Sequence, residues 1–123
     1  MTKIVKVSGF NPDPAHITQA AGVIRNGGLV IIPTDTVYGI AANLFDKKAL
    51  DKLYKIKQRP KDKPFSILID NKEKIGELAF DIPSSAYKLI DKFWPGALTI
   101  ILRAKQGGSV GLRMPDNRIV LDV

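Results

Sequence analysis

The sequence predicts an α/β domain on a twisted mixed sheet, and three observations carry that expectation. Short apolar runs alternate with stretches of helical periodicity through the first part of the chain. Near the end, ALTIILR and SVGLRM are joined by AKQGG, a connection of hairpin length and composition. At 123 residues the chain is a single domain's length, enough to bury a core without help from a disulfide or metal. Alternating elements followed by a hairpin describe a sheet with both parallel and antiparallel pairs.

Each element has its own local signal. KIVKV (3–7) alternates polar and apolar residues and is expected as an edge strand. NPDPAHITQAAGVIRNGG then forms a helix opened by Asp13 and Pro14 and closed by Asn26-Gly27-Gly28. Its apolar residues Ile17, Ala20, Ala21 and Ile24 fall at helical spacing. LVIIP (29–33) is short and wholly apolar, as a central strand buried on both faces would be. The turn TDTVYG follows it. The next helix starts near Asp46, a good N-cap, and must end before Pro60, because a proline disfavours helical backbone in the residue before it. FSILID (65–70) is expected as another buried strand. NKEKIGELAF holds a short helix, and PSSAYKLIDKFW a longer one stopped by Pro95-Gly96. ALTIILR (97–103) and SVGLRM (109–114) make the hairpin strands, and RIVLDV fits either a helix start or a last strand.

The chain has no Cys, its first residues lack the pattern of a signal peptide, and no apolar run is long enough to span a bilayer. These features predict a soluble cytoplasmic protein with no membrane partner. The net charge of +7 is unevenly spread. Between Lys47 and Lys63 eight Lys and Arg face two Asp, so this segment carries +6 and the remainder only +1. Concentrated positive charge attracts nucleic acid, nucleotides or acidic metabolites. A nearly neutral remainder argues against a protein that coats long nucleic acid over its whole surface.

Helical phase divides the basic segment. An α-helix turns about 100° per residue, so with Leu50 at zero, Leu53 lies at about −60° and Tyr54 at about +40°. Lys48, Lys52 and Lys55 fall between about 140° and 200°, on the opposite, solvated face. Lys57 falls at about −20°, within the apolar stripe. A cation there either snorkels its stem over the core or lines a cavity where an anion offsets its desolvation. Arg59 and Lys63 favour the second reading, because they flank a loop entering a strand, where ligands of α/β sheets collect. No glycine-rich phosphate loop is present, so side-chain cations would hold a phosphate, with Arg59 as a bidentate fork and Lys57 as a point charge.

Other chemistry is sparse. His16, the only histidine, sits on the first helix and is expected to be structural or at the surface. No Ser-His-Asp set, no Cys/His group with metal-ligand spacing and no carboxylate pair stands out. Reactions run by positioning and charge neutralisation, such as phosphoryl or nucleotidyl transfer, suit this inventory. Thr34, Asp35, Thr36 and Tyr38 in PTDTVYG follow a strand and could be a capped turn or a binding loop. Arg113 in GLRMPDN is either strand-edge charge or part of a site.

Four stretches taken together, PTDTVYGIAAN (33–43), KIKQRPKDKPFSILI (55–69), FWPGALTIIL (93–102) and VGLRMPDN (110–117), resemble the YrdC-like threonylcarbamoyl-AMP synthase family in content and order. The resemblance implies an α/β fold with a basic cleft. It also implies a nucleotidyltransferase reaction in which L-threonine, bicarbonate and ATP give threonylcarbamoyl-AMP and pyrophosphate. ATP is then a substrate, and the resemblance leaves a need for Mg²⁺ open. Partner tRNA-modification proteins would use the product to make threonylcarbamoyladenosine at position 37 of tRNA. Carried over position by position, Lys57 and Arg59 become the catalytic K-x-R pair. Thr34 matches a threonine-binding Thr, and Thr36 and Tyr38 share its pocket motif. Lys63 and Ser66 follow the K-x-R pair, and Arg113 matches the Arg of an R-x-P element. Family members continue through an S-x-N motif that contacts the nucleotide. This chain ends at Val123 before one, so the resemblance implies a YrdC-like domain over 1–123 that is incomplete at its C-terminal end.

The other reading is an RNA-binding module using Lys48, Lys52 and Lys55, with no aromatic platform expected among the lysines. A carbamoyl-transfer domain of hydrogenase maturation proteins shares the fold, but zinc-finger and acylphosphatase-like segments would mark that case.

Overall fold

The computed structural model describes residues 2–123. Helix α1 (Pro14–Arg25) begins where the Asp13 carboxylate accepts from the Ala15 N–H, 2.9 Å away, and Pro14 takes the first position, where its missing N–H costs nothing. It ends at Asn26, and Gly27 takes φ +84°, a conformation open to glycine. Strand β1 (Val30–Ile32) pairs antiparallel with β2 (Gly39–Ala41), Ile31 opposite Ile40, so the TDTVYG turn closes a hairpin. Helix α2 (Lys47–Lys57) is capped by Asp46, whose carboxylate accepts from the Ala49 N–H at 3.1 Å.

A second, four-stranded sheet has the order β3-β6-β5-β4. Strand β3 (Ile67–Leu68) runs parallel to β6 (Ser109–Arg113), and β5 (Ile100–Ala104) is antiparallel to both β6 and β4 (Ala79–Phe80). The sheet is therefore mixed, as the alternation and the hairpin predict. A 3-10 turn (Lys72–Lys74) and α3 (Ile75–Leu78) lead into β4, and α4 (Ser84–Phe93) covers one face. Ile75, Ala86, Ile90 and Trp94 pack there against Ile69, Ala79, Ile100, Leu102 and Leu112. The Trp94 indole N–H is satisfied by the Leu98 carbonyl at 2.8 Å. Ile32, Ala49 and Leu53 are buried outside that cluster, where the hairpin and α2 lie. The last element, α5 (Arg118–Asp122), is capped by Asn117 and resolves the open choice at RIVLDV in favour of helix. No described helix is long and apolar enough to cross a membrane.

Three sequence expectations need correction. Residues 3–7 form no strand; alternation suits a strand but does not provide a partner edge, and Ile4 stays exposed. LVIIP is not a central strand buried on both faces: β1 belongs to a two-stranded hairpin, with Ile32 inside and Ile31 outside. FSILID supplies a two-residue strand at the sheet edge, leaving Leu68 partly exposed. Strand β4 carries no periodic signal, because two residues are too few to show one.

The turn after α4 fixes the position of β6. Gly96 donates its N–H to the Met114 carbonyl at 2.8 Å, and its own carbonyl accepts from Arg113 Nε at 3.4 Å. A Cβ at this position would collide with the backbone carbonyl of Phe93. Gly96→Ala is therefore expected to destabilise the protein by about 1–3 kcal/mol, as overpacking against unyielding backbone does, measured by urea denaturation. An unchanged midpoint would mean that the turn relaxes without cost.

Candidate functional site

The residues singled out from the sequence gather into two groups. The first forms where α2 ends. Lys57 is the last helical residue, and Gln58 takes left-handed backbone (φ 50°, ψ 40°) that reverses the chain. Had the helix continued, residues 57 and 59 would point about 200° apart. The reversal instead brings both heads to the ring of Phe65. Lys57 Nζ lies 5.7 Å from its centroid and the Arg59 guanidinium carbon 5.1 Å, both at cation–π range. Tyr54, one turn back on α2, packs its ring 4.5 Å from that of Phe65 at 41°.

Arg59 is also tied to its own loop. Its Nε donates to the Lys63 carbonyl at 2.6 Å and Nη2 donates to the Pro64 carbonyl at 3.2 Å. The edge that would form the Nε/Nη2 fork is thus spent on backbone. What Arg59 can offer a ligand is Nη1 and the remaining Nη2 hydrogen, the blunt end of the guanidinium. Lys63 enters through its backbone, and its N–H donates to the Pro60 carbonyl. Lys57 is exposed, and its stem leaves the helix end beside the Phe65 ring, outside the buried cluster.

The basic run is further divided by partners. Lys61 bonds to Asp51 at 2.6 Å, and its ammonium holds that carboxyl below the usual carboxylate range. Lys52 donates to the Gly27 carbonyl at 2.8 Å, removing the middle cation from the outer strip Lys48–Lys52–Lys55. No carboxylate among the described residues comes within salt-bridge distance of Lys57, Arg59 or Lys63.

The second group surrounds the β1–β2 turn. The Thr34 hydroxyl donates to the Val37 carbonyl at 2.6 Å and accepts from the Thr36 and Val37 N–H groups, both at 3.2 Å. That hydroxyl is used up in closing the turn, as the capped-turn reading requires. Arg113, at the end of β6, donates to the Asp35 carboxylate and, at 3.3 Å, to the Thr36 hydroxyl. The Arg113 and Asp35 side chains are 17% and 15% exposed, so the pair is largely shielded from water. Tyr38, by contrast, is exposed. Ser66 lies beside Gly111, where its hydroxyl would be 3.4 Å from an added Cβ.

The sheet sets where the groups lie. Arg113 stands opposite Leu68, and Phe65 precedes Leu68 by three residues. Phe65 leads into β3 while Arg113 stands beside its last residue, so the two groups meet opposite ends of that strand. Among the described residues no cluster of His, Cys, Asp or Glu is arranged to hold a metal.

Two participants, Tyr54 and Phe65, and one tie were not legible in the sequence. Asp35 is a candidate of the turn, but its bond to Arg113 crosses 78 positions. Tyr54 reads as core. Phe65 reads as the start of a strand, and with Tyr54 it supplies aromatic rings among the cations where none was expected. The remaining signal was an aromatic residue directly following Lys63-Pro64.

The mixed sheet defines the class: an α/β protein, with the Lys57–Arg59 cations at the lead-in to the edge strand β3. The family profile described as telomere recombination, Sua5/YciO/YrdC, matches residues 22–123. The chain belongs to this family. It is 43% identical over 114 residues to the threonylcarbamoyl-AMP synthase of Pyrococcus abyssi, covering 85% of this chain and 34% of that protein. The crystal structure of P. abyssi Sua5 complexed with L-threonine superposes with a TM-score of 0.86 at 38% identity, over 91% of this chain and 36% of that one. Escherichia coli YciO superposes with a TM-score of 0.82 at 27% identity, over 91% of this chain and 59% of that one. The chain thus spans about a third of the length of the P. abyssi protein.

Proposed function

We propose that this chain carries the substrate-binding core of an L-threonylcarbamoyladenylate synthase. In this reading the L-threonine amine and bicarbonate form a carbamate with loss of water, and a carbamate oxygen attacks the α-phosphorus of ATP as pyrophosphate leaves. The threonylcarbamoyl-AMP goes to tRNA-modification proteins for threonylcarbamoyladenosine at position 37, which places the activity in the cytoplasm.

The observation that carries the proposal is the Lys57–Arg59 pair, two adjacent cations without a carboxylate partner in a chain of this family. Like charges held together are costly until an anion arrives. Lys57 and the blunt end of Arg59 then suit phosphate or carboxylate oxygens. Lys63 and Ser66, next along the loop, extend the same anion-facing wall. In this reading the β1–β2 turn with Thr34 and Tyr38, and Arg113, which bonds to Asp35 and Thr36, make up the other wall. The space between the walls is the basic cleft of this reading.

Calorimetric titration of the 123-residue protein with ATP and with L-threonine tests the proposal. Both are expected to bind, and Lys57→Ala is expected to weaken ATP by about tenfold or more, the worth of one charged hydrogen bond. Absence of binding by either ligand would remove this reading for the chain.

A further inference from the structure

We propose that Phe65 is a positioning residue: its ring holds Lys57 and Arg59 together so that both present to one anion. The inference rests on the proposed function only for what the cations bind. The positioning itself stands on four observations.

Lys57 and Arg59 would separate if the helix continued, and left-handed Gln58 removes that separation. A reversal brings both heads within reach of one ring without holding them there. Lys side chains are flexible and strongly hydrated, and two like charges repel. Phe65 supplies what opposes this, since the negative face of an aromatic ring attracts cations. Both heads lie within 6 Å of its centroid, at 5.7 and 5.1 Å.

The ring is itself fixed from two directions. Tyr54 packs against it from α2, so the helix that carries Lys57 also locates the ring. The Pro64 carbonyl just before it is bonded by Arg59 Nη2, so the loop that carries Arg59 does the same. Cations and ring therefore form a closed unit in which displacing one member loosens the others. An aliphatic side chain of similar size would keep the contact with Tyr54 and lose the attraction for the cations.

Nuclear magnetic resonance and calorimetry on wild type, Phe65→Leu, Phe65→Met and Phe65→Tyr test this. In wild type the Lys57 ε-methylene protons are expected upfield of their ordinary position, shifted by the ring current. In Phe65→Leu that shift should vanish and ATP affinity should fall by roughly three- to tenfold, the worth of a partly exposed cation–π contact. Phe65→Tyr keeps the aromatic face and should retain both, whereas Phe65→Met, which fills space without a ring, should lose both as Phe65→Leu does. The inference is overturned if wild-type Lys57 shows no upfield shift, or if Phe65→Leu loses the shift and binds ATP as wild type does. It is also overturned if a folded Phe65→Leu protein keeps the shift. Should wild type bind no ATP, the proposed function fails separately, and the Lys57 shift in these proteins alone decides the positioning role.

Discussion

Arg113→Ala is expected to be among the most damaging single substitutions, lowering stability by about 2–3 kcal/mol. Removing one partner of a fully buried pair costs about 3–5 kcal/mol, because the other charge is stranded. Here the side chains keep 17% and 15% exposure, so water recovers part of that loss. The guanidinium serves three acceptors in two loops: the Asp35 carboxylate, the Thr36 hydroxyl and the Gly96 carbonyl. Without it the β1–β2 turn loses its tie to β6, and the Pro95-Gly96 turn loses one of its two bonds to that strand. Chemical denaturation measures the effect, and a double-mutant cycle with Asp35→Ala isolates the pair. The double variant should be more stable than the sum of the single losses implies, since neither charge is then stranded. Arg113→Lys should recover little, because an ammonium cannot span three acceptors in a plane. A loss below about 0.5 kcal/mol for Arg113→Ala would show that the pair contributes nothing beyond a surface contact.

Leu112→Ala should have the larger effect on the fold. Leu112 is completely buried in β6, with Ile67 opposite on one side and Ile100 on the other. Its neighbours in the cluster come from a strand edge, a hairpin and α4, so no single segment can move in to fill the space. The expected cost is about 3–5 kcal/mol, the transfer term plus a cavity term. That is a large share of a stability of about 5–15 kcal/mol. The melting midpoint should fall by roughly 10 °C or more. The site should feel it as well, because Leu112 precedes Arg113. Leu112→Met keeps the volume and should cost less than about 1.5 kcal/mol. Equal losses in the two variants would mean that packing volume is not what Leu112 contributes.

Much of the local structure was legible. Asp13, Asp46 and the Pro95-Gly96 stop announce helix limits because capping and chain-breaking act within a few residues. The hairpin at AKQGG follows from turn composition between two apolar runs. Strand environment was less legible. LVIIP and FSILID are equally apolar, yet β1 joins a hairpin and β3 is a sheet edge. Apolar character shows that a segment avoids water, whereas burial depends on which surfaces reach it.

Helical phase gave a mixed result at the basic segment. It assigned Lys48, Lys52 and Lys55 to solvent correctly, and it set apart Lys57, whose ammonium lies beside the Phe65 ring. It placed Lys57 within the apolar stripe, and there its head lies beside the aromatic Phe65 rather than in the buried cluster.

By itself the sequence determined the fold class, the helix limits, the hairpin and the order of motifs that the family shares. All of these depend on residues close together in the chain. Only the tertiary structure decided which charges act together. Lys57 and Arg59 meet through one left-handed residue and a ring supplied by the next strand's lead-in. Lys61 and Lys52 are withdrawn by Asp51 and by the Gly27 carbonyl. Arg113 is claimed by an aspartate 78 positions away. Coulomb attraction and cation–π contacts depend on distance in space, and composition and periodicity carry no record of it.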